Sequence, residues 1–342
     1  IELKHSNGAI KRPSDYANIL TAKLNMLKDS GKFRYVEFDG IDELDLMVDD
    51  SAFLDGILWG LNNQGQNGGT VDADIDATEA WDITAGTPEI VVGVLDTGVR
   101  YTHQDLKDRM WINEDEVPSN GIDDDNDGYI DNVYGINGDT GSGDPMDEFG
   151  HGTHVSGTIA AAGNDGNPHV GVAWNTRIMG LKCGYYFILQ SAQIAGIQFA
   201  GDEGVRIINC SFGGPGFSQT MYDVYAAGGD KGIIFAMAVG NDATDNDQLL
   251  QYPSGYDLEC IVTVAATDRN DVISDFSNYG KISVDLAAPG TDIYSCGISA
   301  DDVYDTQSGT SMAAPHVAGG LALMRSLQPT WTVLPLREKI LA

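Results

Sequence analysis

Three side chains in this chain have the types and the order to carry out acyl transfer together. Ser311 lies in Gly309-Thr310-Ser311-Met312-Ala313-Ala314-Pro315-His316, a turn that runs into a helix of small residues. A hydroxyl at that place meets the unpaired N–H groups and the positive dipole end of the helix, which favour developing negative charge. His151 opens a second small-residue stretch, His151-Gly152-Thr153-His154-Val155-Ser156-Gly157. Asp96 closes the apolar run Val91-Val92-Gly93-Val94-Leu95 and is followed by Thr97-Gly98. Acyl transfer needs a hydroxyl nucleophile, an imidazole that takes and returns its proton, and a carboxylate that orients the imidazole. Taken singly, each residue has a plainer reading as a helix cap or a turn residue. The combination points to chemistry.

The order Asp, His, Ser separates two hydrolytic designs. Gly309-Thr310-Ser311 begins like the G-x-S-x-G elbow of α/β-hydrolases, but its fifth residue is Ala313. That design also places the acid and the histidine after the serine, and little chain follows Ser311. The elbow is therefore set aside.

A second cluster has metal-ligand spacing. Asp123-Asp124-Asp125-Asn126-Asp127-Gly128-Tyr129-Ile130-Asp131 places carboxylates at positions 1, 3, 5 and 9 with glycine at 6, as in the first part of an EF-hand loop. Tyr129 would give its carbonyl. Position 12 is Tyr134, so the bidentate glutamate is missing, and no flanking helix pair is evident. Without a cation these carboxylates only repel one another, which favours bound calcium over a solvated acidic turn.

Positioning these residues falls to alternating strands and helices. Apolar runs at 90–95, 178–183, 207–212, 233–239 and 261–266 predict strands covered on both faces. Helical stretches at 152–162, 191–200 and 219–227 fall between them. The rhythm predicts an α/β fold of three layers, a largely parallel sheet flanked by helices, with ligand sites beyond the C-terminal strand ends. A further helix begins near Ser311, and Pro329 closes it. Earlier in the chain, a helix over 13–29 and an alternating strand over 32–38 precede an acidic segment. Residues 1–50 read as a small α+β piece with a linker, and 51–342 as the main domain.

Composition narrows the partners. Across 342 residues there are 19 Lys+Arg and 51 Asp+Glu, a net charge of −32. Such a surface repels nucleic acid and anionic membranes and attracts cations. No apolar run approaches the roughly 18 residues of a membrane span. Cys183, Cys210, Cys260 and Cys296 are widely spaced without a C-x-x-C pair, so three disulfide pairings and four buried thiols all stay open. The chain starts at Ile1 without a signal peptide, and it is expected to be cut from a longer precursor at both ends.

Across about 59–328 the chain closely resembles the subtilisin-like serine peptidases, through Asp96-Thr97-Gly98, His151-Gly152-Thr153-His154 and the block from Gly309 to His316. The Asp-His-Ser order is that family's order. Lacking a run of basic residues after Asp-Thr-Gly, the chain looks unlike the kexin/furin branch. The resemblance implies Ser311 as nucleophile, His151 as base and then acid, and Asp96 as its orienting partner. It implies Asn241, after the run 233–239, as the oxyanion donor; otherwise Asn241 would pass as a turn residue. It implies that Ser211, Phe212 and Gly213 pair with substrate backbone as an added strand. Gly240 and Gln251 become walls of the primary specificity pocket, with Asp242 at its rim. Asp105 and Asn164 match calcium ligands of a second site. Residues 1–50 resemble part of the family's inhibitory propeptide.

The reading is thus a secreted, monomeric, calcium-stabilised serine endopeptidase made as a zymogen, with protein or peptide substrates and its own propeptide as partners. Two rivals are a catalytically silent calcium-dependent binding scaffold and an esterase acting on small acyl esters.

Overall fold

The structure, a computed structural model, describes residues 28–30, 32 and 48–342. The chain divides into two units, Ile1–Asp45 and Leu46–Ala342, and the second carries the sheet. The helix expected over 13–29 and the strand over 32–38 lie outside the described residues, apart from 28–30 and 32.

Seven strands form one sheet: β1 Val91–Asp96, β2 Gly135–Asn137, β3 Arg177–Lys182, β4 Ile207–Cys210, β5 Ile234–Ala238, β6 Ile261–Thr267 and β7 Leu286–Pro289. Their order is β2-β3-β1-β4-β5-β6-β7, and each neighbouring pair is parallel. β8 Ile293–Cys296 and β9 Tyr304–Gln307 make a separate antiparallel hairpin. The helices are α1 Ser51–Leu54, α2 Ala77–Trp81, α3 His151–Ala160, α4 Gln190–Asp202, α5 Gln219–Asp230, α6 Thr310–Leu327 and α7 Val333–Ile340. β1 lies between β3 and β4, where the strand order reverses, and in such sheets ligands gather beyond the C-terminal ends at this point. Asp96 is the last residue of β1.

Each strand is apolar on both faces because each face meets a different helical layer. On β5, Ile234, Ala236 and Ala238 join a core with Val155 and Ile159 of α3 and Ala314, Ala318 and Leu321 of α6. Phe235 and Met237 point the other way, into a core with Ile197 and Phe199 of α4 and Met221 and Tyr225 of α5. This double covering explains why the strands read as continuous apolar runs. All five expected strands are present, with ends shifted by a residue or two. The one expected to reach Phe212 stops at Cys210, because Ser211 turns its carbonyl and hydroxyl to α6. β2, β7, β8 and β9 carry weak patterns: β2 has three residues, and β9 is the polar run Tyr304-Asp305-Thr306-Gln307. All four cysteines are free and buried. No helix among the described residues is long and apolar enough to cross a membrane.

Two glycines set how closely α3 approaches β1. Gly98 has φ +113°, a left-handed conformation, and a side chain there would strike the Pro145 carbonyl. A side chain on Gly152 would strike the carbonyl oxygen of Gly98 and crowd the Asp96 Cβ. The helix therefore seats directly on the turn that follows Asp96. Helix propensity alone would favour Gly152→Ala by roughly 1 kcal/mol. We expect the opposite sign, a lower Tm on thermal unfolding, because the added methyl has only backbone to displace.

Candidate active site

The three residues singled out for acyl transfer converge at the C-terminal edge of the sheet. His151, the first residue of α3, places Nδ1 at 2.7 Å from Oδ1 of Asp96. The Thr97 N–H donates to the same oxygen at 2.7 Å. Asp96 is buried, and its Oδ2 has no hydrogen-bond partner. Burial alone would lower the imidazole pKa; the charge and hydrogen bond of Asp96, with the charge of Asp147, hold it above the ordinary histidine range. The other described histidines behave differently. Burial holds His154 and His169 down to about 3 and His316 to about 4, and it lowers His103 as well. His151 alone among the described histidines is raised.

Ser311 occupies the first turn of α6, anchored to the end of β4. Its hydroxyl donates to the Ser211 carbonyl at 2.9 Å, and the Ser211 hydroxyl donates to the Ser311 carbonyl at 2.8 Å. The second bond has a cause in the sequence. Residue 315, four positions on, is proline and has no N–H to donate to that carbonyl. The Ser211 hydroxyl takes the vacant role, and Asn209 Nδ2 in turn donates to it at 2.9 Å. The Ser311 hydroxyl makes no hydrogen bond to His151 in this rotamer, a common state of hydrolytic sites without substrate.

Asn241 lies beyond β5 with its amide orientation fixed. Oδ1 accepts the Thr310 N–H at 2.8 Å and the Thr310 hydroxyl at 3.0 Å. Its amide nitrogen makes no hydrogen bond among the described residues, and it faces Gly309, beside Ser311. Gly213 and Gly214 run alongside. Gly214 exchanges two backbone hydrogen bonds with Tyr252, at 2.9 and 2.8 Å, and Phe212 packs on the α4/α5 side. A side chain on Gly240 would come within 3.5 Å of Gln251 Cγ, so Gln251 borders Gly240. A cavity of about 320 Å³ opens next to this edge, lined by Tyr186, Phe187, Phe212, Gly214, Tyr252 and Tyr256.

The acidic loop gathers fewer of the expected ligands than its spacing implied. Carboxylate oxygens of Asp123, Asp125 and Glu116 lie within 4.8 Å of one another. Asp127 accepts the Tyr129 N–H and the Asn132 amide instead. Asp131 turns its carboxylate to the N–H groups of Asn120 and Gly121, outside this group. Glu116, buried and accepting the Asp124 and Asp131 N–H groups, stands where the expected set lacked an acid. It precedes the loop and carried no spacing signal. Tyr129 packs edge-on against Phe199.

Asn164 is tied to a residue that the sequence did not single out, Asp50, whose charge also acts on Asp105. The Asn164 N–H donates to Asp50 Oδ2 at 2.9 Å, and the Asp49 N–H donates to Asn164 Oδ1 at 2.8 Å. Asp105 Oδ2 accepts the Tyr304 hydroxyl at 2.7 Å. Oδ1 of Asp105 and Oδ1 of Asp50 are both buried without partners. Orphaned carboxylate oxygens in one neighbourhood fit a hard cation such as calcium, whose ligands are oxygens. Asp105 also lies within 4.8 Å of His103 and Cys296. Both ring nitrogens of His103 are engaged, by the Val303 carbonyl and the Asp105 N–H, so a soft-metal site does not fit.

The fold and this edge of the sheet place the chain among known proteins. The subtilase family model matches residues 87–342, and the chain belongs to that family. It is similar to a thermophilic serine proteinase of Bacillus sp. (strain AK1), 36% identical over 251 residues, covering 72% of this chain and 55% of the relative. Subtilisin DY of Bacillus licheniformis is 33% identical over 258 residues, covering 73% of this chain and 82% of the relative. Among solved structures, a protease of Pseudoalteromonas arctica superposes with a TM-score of 0.69 at 27% identity, covering 85% of this chain and 90% of that one. The chain thus spans about half the length of the thermophilic proteinase.

Burial pushes Asp105 up to about 7 and Asp50 up to about 6, each also raised by neighbouring carboxylates. In the ion-free fold these groups keep protons that the unfolded chain releases near 3.8. Their contribution to stability is therefore present below about 4 and is lost as pH rises to about 7. A cation must displace those protons, so its affinity rises over the same window. We expect the calcium-induced rise in Tm to be larger at pH 8 than at pH 5, measured against chelator at each pH.

Proposed function

We propose that this chain is a serine endopeptidase that cleaves peptide bonds through Asp96, His151 and Ser311, with Asn241 completing an oxyanion hole. The observation that carries the reading is the buried Asp96–His151 pair, which holds an imidazole more basic than the other described histidines at the end of β1, while Ser311 at the start of α6 is tied to the end of the neighbouring strand β4. The Ser311 hydroxyl leaves the Ser211 carbonyl and turns to His151 Nε2, which takes its proton as the oxygen attacks the scissile carbonyl. Asp96 keeps the ring in the required tautomer and stabilises the imidazolium. Negative charge on the tetrahedral oxygen meets the Asn241 amide, whose carbonyl Thr310 already holds away from it. His151 then returns the proton to the leaving amine.

Substrate backbone lies along Ser211, Phe212 and Gly213, and Gly240 and Gln251 bound the pocket for the side chain before the scissile bond. Strand pairing of this kind makes turnover grow with peptide length, which an esterase of small acyl esters does not show. Calcium held by Glu116, Asp123 and Asp125, and by Asp50, Asp105 and Asn164, neutralises gathered charge and ties down two segments. We read the enzyme as secreted, acting as a monomer, and held inactive before maturation by its N-terminal segment. Surroundings rich in calcium suit both acidic clusters.

Ser311→Ala should abolish nearly all turnover while leaving the fold intact. A serine-directed phosphonyl reagent should label Ser311 alone in the unmodified chain. Asn241→Ala should lower kcat roughly 10²–10³-fold with little change in KM, a magnitude known from subtilisin, a member of this family. Turnover retained in the alanine variant at Ser311 would remove the peptidase reading.

For calcium, initial kcat and half-life at fixed temperature are compared with millimolar calcium and with chelator, for the unmodified chain and for Asp125→Ala. At ~100-fold excess over Kd, binding to the folded state alone adds roughly 2.7 kcal/mol. We expect a much shorter half-life on chelation, near-normal initial turnover, and a diminished calcium response in Asp125→Ala. Immediate, reversible loss of turnover without loss of fold would make the ion catalytic instead.

A further inference from the structure

The loop that delivers His151 to Asp96 is organised around a buried carboxylate that the acyl-transfer reading does not use. Asp147 is 2% exposed, and both of its oxygens are engaged. Oδ1 accepts the Thr97 hydroxyl at 3.0 Å and the N–H groups of Phe149 and Gly150 at 2.9 and 3.0 Å. Oδ2 accepts the Thr153 N–H at 3.0 Å and its hydroxyl at 2.6 Å.

These bonds cap α3 from a distance. Its N-cap residue is Gly150, which has no side chain to offer the first-turn N–H groups. The Gly152 N–H goes to Thr97 Oγ1 at 3.0 Å, and the Thr153 N–H goes to Asp147. Thr97 follows Asp96 directly, and its own N–H holds Asp96 Oδ1. A closed ring of contacts results, running from Asp96 through Thr97 and Asp147 to the first turn of α3 and back through His151.

We propose that Asp147 is a positioning residue for acyl transfer, fixing the approach of the His151 ring to Asp96 and placing a second carboxylate near that ring. The inference rests on the reading of Ser311 as nucleophile and His151 as its base. The other charged groups facing this region do not cancel it. Lys182, at the end of β3, gives its ammonium to Glu148 at 3.0 Å and to the Met146 carbonyl at 2.7 Å. His154, on α3, is held neutral by burial. Asp96 and Asp147 remain as the carboxylates acting on the ring. An amide cannot replace Asp147, since one carbonyl oxygen cannot accept five donors and the amide N–H groups would face other donors.

The test compares Asp147→Asn and Thr97→Val with the unmodified chain in calcium, each rate normalised by titration with the serine-directed reagent. In both variants kcat should fall roughly 10–100-fold with KM near normal, the scale of a small misplacement of a reacting group. In Asp147→Asn the acid limb of kcat/KM should also move to lower pH, because a charge that favoured the imidazolium is gone. Thr97→Val keeps that charge and should leave the limb in place. NMR titration of the His151 imidazole reads the same shift without turnover. A folded Asp147→Asn with the normal acid limb and the normal imidazole titration would overturn the inference. If Asp147→Asn does not fold, a Thr97→Val with unchanged kcat overturns it. Failure of the reagent to label the unmodified chain would undo the underlying reading, and the NMR comparison would still decide the role of the charge.

Discussion

Close approach of backbone to backbone, where Gly152 lies against the Gly98 carbonyl, is the constraint on which the reactive edge depends. It brings the start of α3 against the end of β1, so a short aspartate and an imidazole meet at 2.7 Å without long, mobile side chains. A parallel constraint holds the other half of the site. The Ser211 and Ser311 hydroxyls and carbonyls bind reciprocally, which locks α6 to the end of β4. Pro315 makes this possible by leaving the Ser311 carbonyl free. One residue that usually disrupts a helix here directs the helix to its strand.

The electrostatics follow from these two dockings. The Thr97 N–H and the imidazole both point at one oxygen of the buried Asp96 carboxylate. Its second oxygen has no partner, so its field acts on the ring rather than being absorbed by further donors. Burial lowers every other described histidine, and the Asp305 carboxylate 3.7 Å from His154 Nε2 does not offset it there. Location in the fold, more than residue type, decides which imidazole can act as a base.

What was legible in the sequence depended on how local its cause is. Strands such as 234–238 were readable because both faces are buried and the apolar run is continuous. Asp96, His151 and Ser311 were readable because each sits at a boundary between a run and a small-residue helix, in an order that only one hydrolytic design uses. Asp147 gave no such signal: its five partners come from Thr97, Phe149, Gly150 and Thr153, and only the fold brings Thr97 to it. Glu116 and Asp50 escaped for the same reason, since each joins its cluster from outside the local pattern. Asp131 shows the reverse failure. It has the right spacing, yet the turn at 120–121 supplies nearer donors, and the backbone N–H groups claim the carboxylate.

The acidic clusters carry two different electrostatic costs, and a bound cation would relieve each by a different route. Around Asp50 and Asp105 the cost is mainly desolvation, since these groups are buried and one oxygen of each has no hydrogen-bond partner in the protein. In the 123–131 loop the carboxylates are half-buried or exposed, so repulsion between like charges adds to a smaller desolvation cost, softened by backbone N–H groups that the acids recruit. Salt weakens the second cost and leaves the first nearly intact, because screening acts on exposed charges far more than on buried ones. Neither cluster shares a hydrogen bond with His151, Ser311 or Asn241. Asp50 instead ties the segment that carries α1 to Asn164, and Glu116 ties both flanks of the acidic loop to one buried carboxylate. On the proposed reading, charge neutralisation at these places would govern how long the fold persists, while the glycine contacts and the proline of α6 build the geometry around Asp96, His151 and Ser311.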